Sequence, residues 1–211
     1  MKKYSVAIID YQMSNLFSIS NALNALDINS VITSDPKVIL QSDGAILPGV
    51  GSYPEAVISL HDLDLFETIK NFINTGKPFM GICLGLQLLF NNSEEFKLTE
   101  GLGVIEGATK KFIDKSIVKT VPHVGWNKIE IIESDHDIQN YPFKDITCDD
   151  FFYFVHSLYV EPANLDSVKS FTDHEGFNFC SSIMHENIFA SQFHPEKSGK
   201  RGLQILQNFF N

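Results

Sequence analysis

The sequence predicts an α/β fold: an open, mixed and mostly parallel sheet flanked by helices, with residues 1–211 forming one domain. Three observations carry this reading. The first half alternates continuously apolar runs with segments whose apolar residues recur every three or four positions, the signature of β-α-β units around a sheet covered on both faces. The second half changes to closely spaced β-rich runs separated by Gly, Asn, Asp and Pro. The chain then closes on an amphipathic helix. A chain of 211 residues, 44% hydrophobic and 20% charged, can bury one full core.

The elements follow in order. Residues 6–9 form an apolar strand. Residues 15–26 place Leu16, Ile19, Leu23 and Leu26 on one helical face. Residues 30–33 and 44–47 are strands, the second running into Pro48-Gly49-Val50-Gly51. Residues 65–75 are a helix stopped by Gly76, and residues 77–82 a strand that delivers Cys83. A helix-compatible run follows, with Leu86, Leu88, Leu89 and Phe90. Strand-like runs come next at 104–112, 118–120, 127–132, 151–160, 167–172, 180–185 and 188–192. The last three read as a meander with Glu186-Asn187 as a two-residue hairpin turn. Residues 199–210 form the closing helix, burying Leu203, Leu206, Phe209 and Phe210.

The totals exclude several classes. A net charge of -10 argues against non-specific binding to nucleic acid or anionic membranes. No apolar stretch is long enough to span a bilayer. The N-terminal apolar run is short and stops at Asp10, which fits a first strand better than a signal peptide. Cys83, Cys148 and Cys180 are an odd set without metal-ligand spacing, which fits a reducing, cytoplasmic setting. Cys148 and Cys180 read as inert.

Cys83 is different. In Gly81-Ile82-Cys83-Leu84-Gly85-Leu86-Gln87 it stands at a strand-to-helix turn between two glycines. Glycine permits a tight bend, and the N-terminus of a helix favours thiolate over thiol. A thiol nucleophile needs a base, and an imidazole needs a carboxylate to fix its tautomer. Phe193-His194-Pro195-Glu196-Lys197 supplies both. Residues i and i+2 of an extended chain share a side, and Pro195 biases His194 toward extended geometry. The chain therefore offers nucleophile, base and orienter as Cys83, His194 and Glu196.

These two motifs together resemble the class I, triad-type glutamine amidotransferases, and the likeness runs from the first strand to the last helix. Within them, Leu47-Pro48-Gly49-Val50-Gly51-Ser52-Tyr53, Pro122-His123-Val124-Gly125-Trp126-Asn127 and Tyr153-Phe154-Val155-His156-Ser157 are similar to the glutaminase subunits of imidazole glycerol phosphate synthase, of histidine biosynthesis. The resemblance implies hydrolysis of L-glutamine to glutamate and ammonia, with no cofactor and no metal. It implies an oxyanion and glutamine site made by Gly49, Val50, Gly51 and Leu84 with Gln87, His156 and Ser157, and a peptide flip in the Gly49–Gly51 loop that switches the glutaminase on. The implied partner is a separate (βα)8-barrel cyclase subunit, in a heterodimer, with Asn15, Trp126 and Lys197 at the interface.

One stretch departs from the family. Where it usually reads Asp-Tyr-Gly-x-Gly-Asn-Leu, this chain has Asp10-Tyr11-Gln12-Met13-Ser14-Asn15-Leu16. This keeps open a paralogous subunit that feeds ammonia to amino- or amidino-sugar synthesis for surface polysaccharides. A non-catalytic interaction protein and a cysteine hydrolase on the same fold are further alternatives. His123 reads as a packed histidine beside Trp126. His61, His136, His174 and His185 fall in polar surroundings with no visible role.

Overall fold

The structure, a computed structural model, describes residues 4–112, 118–132 and 141–211; His136 lies outside them. The first half builds the parallel part of the sheet: β1 (Ser5–Ile9), α1 (Leu16–Asn24), β2 (Asn29–Thr33), α2 (Pro36–Gln41), β3 (Gly44–Leu47), α3 (Tyr53–Asp62), α4 (Leu65–Ile73), β4 (Phe79–Ile82) and α5 (Leu84–Leu88). The second half adds β5 (Phe90–Ser93), β6 (Thr99–Glu100), β7 (Ile105–Lys111), β8 (His123–Lys128), β9 (Glu130–Ile131), β10 (Phe151–His156), β11 (Leu158–Pro162), β12 (Val168–His174), β13 (Phe177–His185), β14 (Ile188–Ser191) and α6 (Gly199–Phe210).

The main sheet runs β2-β1-β3-β4-β14-β13-β11-β7-β5-β6, with β12 beside β13 and β9 beside β12. From β2 to β14 every neighbour is parallel; beyond β14 the strands are antiparallel except for β5 on β7. β8 and β10 stand apart as an antiparallel pair.

Strand alternation divides the core. Ala7 and Ile9 of β1 face a cluster with α2, α3, α4 and α5. Val6 and Ile8 face the opposite cluster, which takes in Ile19 and Leu23 of α1 and Leu206 and Phe209 of α6. Burying each such Leu, Ile or Phe contributes about 1.5–3 kcal/mol, so both helices are held by their apolar faces rather than by propensity.

The expected helices at α1, α4 and α6 are present, and Gly76 ends α4 with φ +74°. The meander β12-β13-β14 is present, its last turn made by Glu186 at φ 51° and Asn187. Several expectations need correction. The run after Cys83 is helical only to Leu88; Phe90 already belongs to β5, which pairs in parallel with β7. Residues 118–120 are not a strand: Lys119 and Thr120 donate their backbone N–H to the Glu175 carboxylate instead of to a neighbouring strand. The expected strand at 127–132 is two strands with different partners, β8 on β10 and β9 on β12. The long run at 151–160 breaks at Ser157 into β10 and β11, which join different sheets. Helices α2 and α3 carry no assignment in the sequence reading. Both open with a proline in the first turn; α2 spans only six residues and is capped by Asp35, whose carboxylate accepts from Lys37 N–H at 2.8 Å.

Candidate active site

β4 and β14 lie side by side in parallel at the centre of the sheet, with Gly81 opposite Ala190 and Ile82 opposite Ser191. Their carboxyl ends therefore deliver Cys83 and the Gln192–Glu196 segment to one place, where open parallel sheets put their chemistry. Cys83 has φ 55° and ψ -106°, a strained conformation for a residue with a Cβ. Its N–H is anchored to Ser191 C=O at 2.8 Å. The flanking glycines serve close approach rather than positive φ. A Cβ on Gly81 would lie 2.9 Å from Gly85 C=O, and one on Gly85 would collide with Leu47 C=O. The strain sits on Cys83, and the glycines let α5 pack against β3 and β4 tightly enough to hold it.

His194 and Glu196 are buried, and His194 Nδ1 donates to Glu196 Oε1 at 2.8 Å. This fixes the tautomer that leaves Nε2 to face the thiol. Burial disfavours the imidazolium, but the charge of a Cys83 thiolate, a hydrogen bond to that thiolate and the Glu196 carboxylate outweigh burial and raise the His194 pKa above 6.5. In the resting geometry Nε2 has no hydrogen-bond partner among the described residues. The thiol is turned toward Val155 C=O at 3.7 Å. Cys83 is near enough for the charge of its ionised sulfur to act on the ring, while the neutral thiol points at Val155 C=O.

A cavity of about 280 Å³ opens beside the sulfur, lined by Val50, Gly51, Cys83, Leu84, Gln87, Glu95, Pro122, Val155, His156, Ser157 and Leu158. It gathers Val50, Gly51, Leu84, Gln87, His156 and Ser157 from the expected set. Gly49 does not line it; this residue sits behind the loop, where a Cβ would collide with the Tyr11 hydroxyl. Gln87 is buried and its amide nitrogen is already engaged, donating to Gln192 Oε1 at 3.0 Å and Leu158 C=O at 3.4 Å. Any contact from Gln87 to a ligand falls to its oxygen.

Val50 N–H donates to Met13 C=O at 2.9 Å. Of the backbone donors expected to cradle an oxyanion, Leu84 with one from the Val50–Gly51 loop, Leu84 N–H opens α5, where no intrahelical acceptor exists. Val50 N–H is turned away from the cavity.

His156 is buried, and its Nδ1 donates to Leu158 C=O at 2.7 Å. Its Nε2 then accepts from His123 Nδ1 at 3.0 Å. Burial pushes the His156 pKa down to about 3 and the His123 pKa down to about 4. Neither is a base at neutral pH. His123 stacks on Phe154 and His174 and points to the inner face of β8, whereas Trp126 points to the outer face. The two are therefore not side by side. His174 is also not in polar surroundings: it is buried against Phe112 and bonds Thr120 C=O.

Sequence reasoning missed three neighbours. Gln192 is fully buried and donates from Nε2 to the Cys83 sulfur at 3.5 Å; its place two residues before His194 on the same strand end was the available signal. Glu95 puts a carboxylate on the cavity wall, held by Tyr53 N–H at 2.6 Å, and no local pattern marks it. Pro122 completes the wall.

The outer face of the β8–β10 pair exposes Val124, Trp126 and Phe151. Trp126 packs edge-on against Tyr153 at 6.1 Å, and Lys197 Nζ lies 5.9 Å from the Tyr153 ring centre. Trp126 and Lys197 therefore meet on one surface. Asn15 caps α1, accepting from Ser18 N–H at 3.4 Å, and is exposed.

The sequence model of glutamine amidotransferase class-I matches residues 7–211. The imidazole glycerol phosphate synthase subunit HisH of Synechococcus elongatus is 40% identical over 204 residues, covering 97% of this chain and 91% of that protein. HisH 1 of Methanococcus maripaludis is 42% identical over 209 residues, covering 97% and 98%. Among solved structures, PurLQS of Thermotoga maritima aligns with a TM-score of 0.73 at 20% identity, covering 99% of this chain and 98% of that one. A glutamine amidotransferase of the same organism aligns with a TM-score of 0.66 at 15% identity, covering 98% and 81%.

Proposed function

The chain belongs to the class-I glutamine amidotransferase family, and from that premise we propose that it is the glutaminase subunit of imidazole glycerol phosphate synthase, releasing ammonia from glutamine for a (βα)8-barrel cyclase subunit. The observation that carries this is that the adjoining carboxyl ends of β4 and β14 bring Cys83 and the hydrogen-bonded His194–Glu196 pair together, with Cys83 on the wall of a cavity that also includes Val50 and Gly51.

Each residue has a role. The Cys83 sulfur attacks the side-chain amide carbon of glutamine, and His194 Nε2 takes the thiol proton. His194 then returns a proton to the departing nitrogen, which leaves as ammonia. Glu196 holds His194 in place and stabilises its charged form. Water hydrolyses the resulting thioester to glutamate, with His194 acting again as base. Leu84 N–H and Val50 N–H stabilise the oxyanion of each tetrahedral intermediate. Gln192 steadies the sulfur, and the Glu95 carboxylate suits the α-ammonium of glutamine.

Because Val50 N–H rests on Met13 C=O, the isolated subunit has half an oxyanion hole. Rotation of the Gly49–Val50 peptide completes it, and docking of the cyclase favours the rotated form. The outer face of β8 and β10 with Trp126 and Lys197 is the docking surface, and Asn15 extends it. It lies close to the chemistry: His194 N–H bonds Tyr153 C=O at 2.9 Å and the Cys83 thiol faces Val155 C=O. The three free cysteines suit a cytoplasmic enzyme. The departure at Gln12 and Ser14 falls beside this switch loop, and the HisH relatives favour the histidine acceptor over a sugar pathway.

Glutamate release measured with and without the barrel cyclase tests the proposal. A strong rise on adding the cyclase supports it; no release in either state defeats it.

A further inference from the structure

Tyr11 follows β1 and is fully buried, yet its hydroxyl has no hydrogen-bond partner among the described residues. A buried hydroxyl without a partner is unfavourable, so its persistence calls for an explanation. Its position is specific. A Cβ on Gly49 would collide with this hydroxyl and come within 2.8 Å of Leu84 Cβ. Gly49 therefore packs against both this hydroxyl and Leu84, the first residue of α5. Tyr11 is not among the cavity walls, so it is behind the loop and not placed to touch glutamine. Burial raises the Tyr11 pKa, and the Cys83 charge adds to the rise; the group is a neutral donor.

The peptide plane supplies the rest. In a trans peptide the N–H and C=O point in opposite directions. With Val50 N–H on Met13 C=O, the Gly49 carbonyl faces the other way. Rotation of the Gly49–Val50 unit aims Val50 N–H at the cavity and swings the Gly49 carbonyl to the back of the loop. There it meets Met13 C=O, which cannot donate. Resting on the glutaminase reading above, we propose that the Tyr11 hydroxyl is the donor that receives the Gly49 carbonyl in the rotated, active loop, which makes Tyr11 a positioning residue for the oxyanion hole. The hydroxyl is unsatisfied at rest and satisfied when active, so it biases the loop toward activity. The Ser14 hydroxyl is also buried without a partner among the described residues, but nothing places it against Gly49, and it serves as the comparison.

The test uses the full complex with the cyclase and Tyr11→Phe. Glutamine-dependent turnover falls in kcat by roughly tenfold, the value of about one hydrogen bond, with KM for glutamine nearly unchanged. Turnover with added ammonium stays at the wild-type level. Alkylation of Cys83 by iodoacetamide, followed by mass spectrometry of its peptide, keeps its wild-type rate, because that displacement builds no oxyanion. Thermal stability of the isolated subunit does not fall, since the change removes an unpaired polar group. Ser14→Ala keeps full turnover. Unchanged glutamine turnover in Tyr11→Phe overturns the proposal, as does a matching fall in alkylation, which would put Tyr11 at work on the sulfur. Equal losses with both ammonia sources would mark a structural role and also overturn it. A wild-type complex that releases no glutamate defeats the glutaminase reading itself, a result separate from any Tyr11 effect.

Discussion

At the scale of single residues, the same burial gives the site's histidines opposite characters. His156 and His123 are buried among aromatic rings with no carboxylate partner among the described residues, and burial lowers both pKa values to about 3 and about 4. His194 is as buried but faces Glu196 and the Cys83 sulfur, and its pKa rises. The signs have consequences. A lowered histidine means that the unfolded chain binds more protons, so its contribution is present above 6.5 and is lost as pH falls from there toward the folded value. The raised His194 contributes below 6.5 and its share is lost as pH climbs through its elevated folded value. Thermal midpoints are therefore expected to drop on acidification below about 6.5, the ordinary histidine value, while the imidazole NMR signals of His123 and His156 stay in their neutral positions until near pH 4 and below. Signals of either ring that titrate near 6.5 would contradict the burial account. Cys83, His194 and Glu196 were legible in the sequence because nucleophile turns and His-x-Glu strand ends are local patterns. Glu95 and the His123–His156 bond were not, because they join residues distant along the chain.

At the scale of elements, the turn after β1 shows what a departure from family pattern does. Gln12 sits at φ 69°, the left-handed region where glycine is the usual occupant, and its N–H bonds the Asp10 carboxylate at 2.9 Å. The backbone there keeps the glycine conformation even though the glycine is gone. Gln12→Gly is expected to raise stability by about 1 kcal/mol, measured by chemical denaturation, because it relieves the Cβ clash of that region. A loss of stability would mean that the Gln12 side chain holds the turn. The helices α1, α4 and α6 were readable because their apolar spacing persists over two or more turns. The break at Ser157 and the division at Ile129 were not readable, because β-rich pattern alone does not say which sheet a strand joins. The shortness of α5 was hidden for a related reason: its apolar run continues unbroken into β5.

At the scale of the whole molecule, parallel pairing of β4 with β14 makes the candidate site, since it brings Cys83 from the middle of the chain beside His194 and Glu196 from near its end. The separate β8–β10 pair places an exposed apolar face next to that site. Trp126 is 55% exposed and packs edge-on against Tyr153. Trp126→Ala is expected to weaken cyclase binding by about 2 kcal/mol, roughly 30-fold in Kd by calorimetry, without lowering the stability of the free subunit. Unchanged affinity would move the docking surface elsewhere. The decisive measurement on Cys83 is an assay of the complex carrying Cys83→Ala with two ammonia sources, glutamine and ammonium salt. Synthesis from glutamine is expected to disappear while synthesis from ammonium salt proceeds at the wild-type rate; glutamine-dependent synthesis that survives the loss of this thiol would rule out Cys83 as the nucleophile.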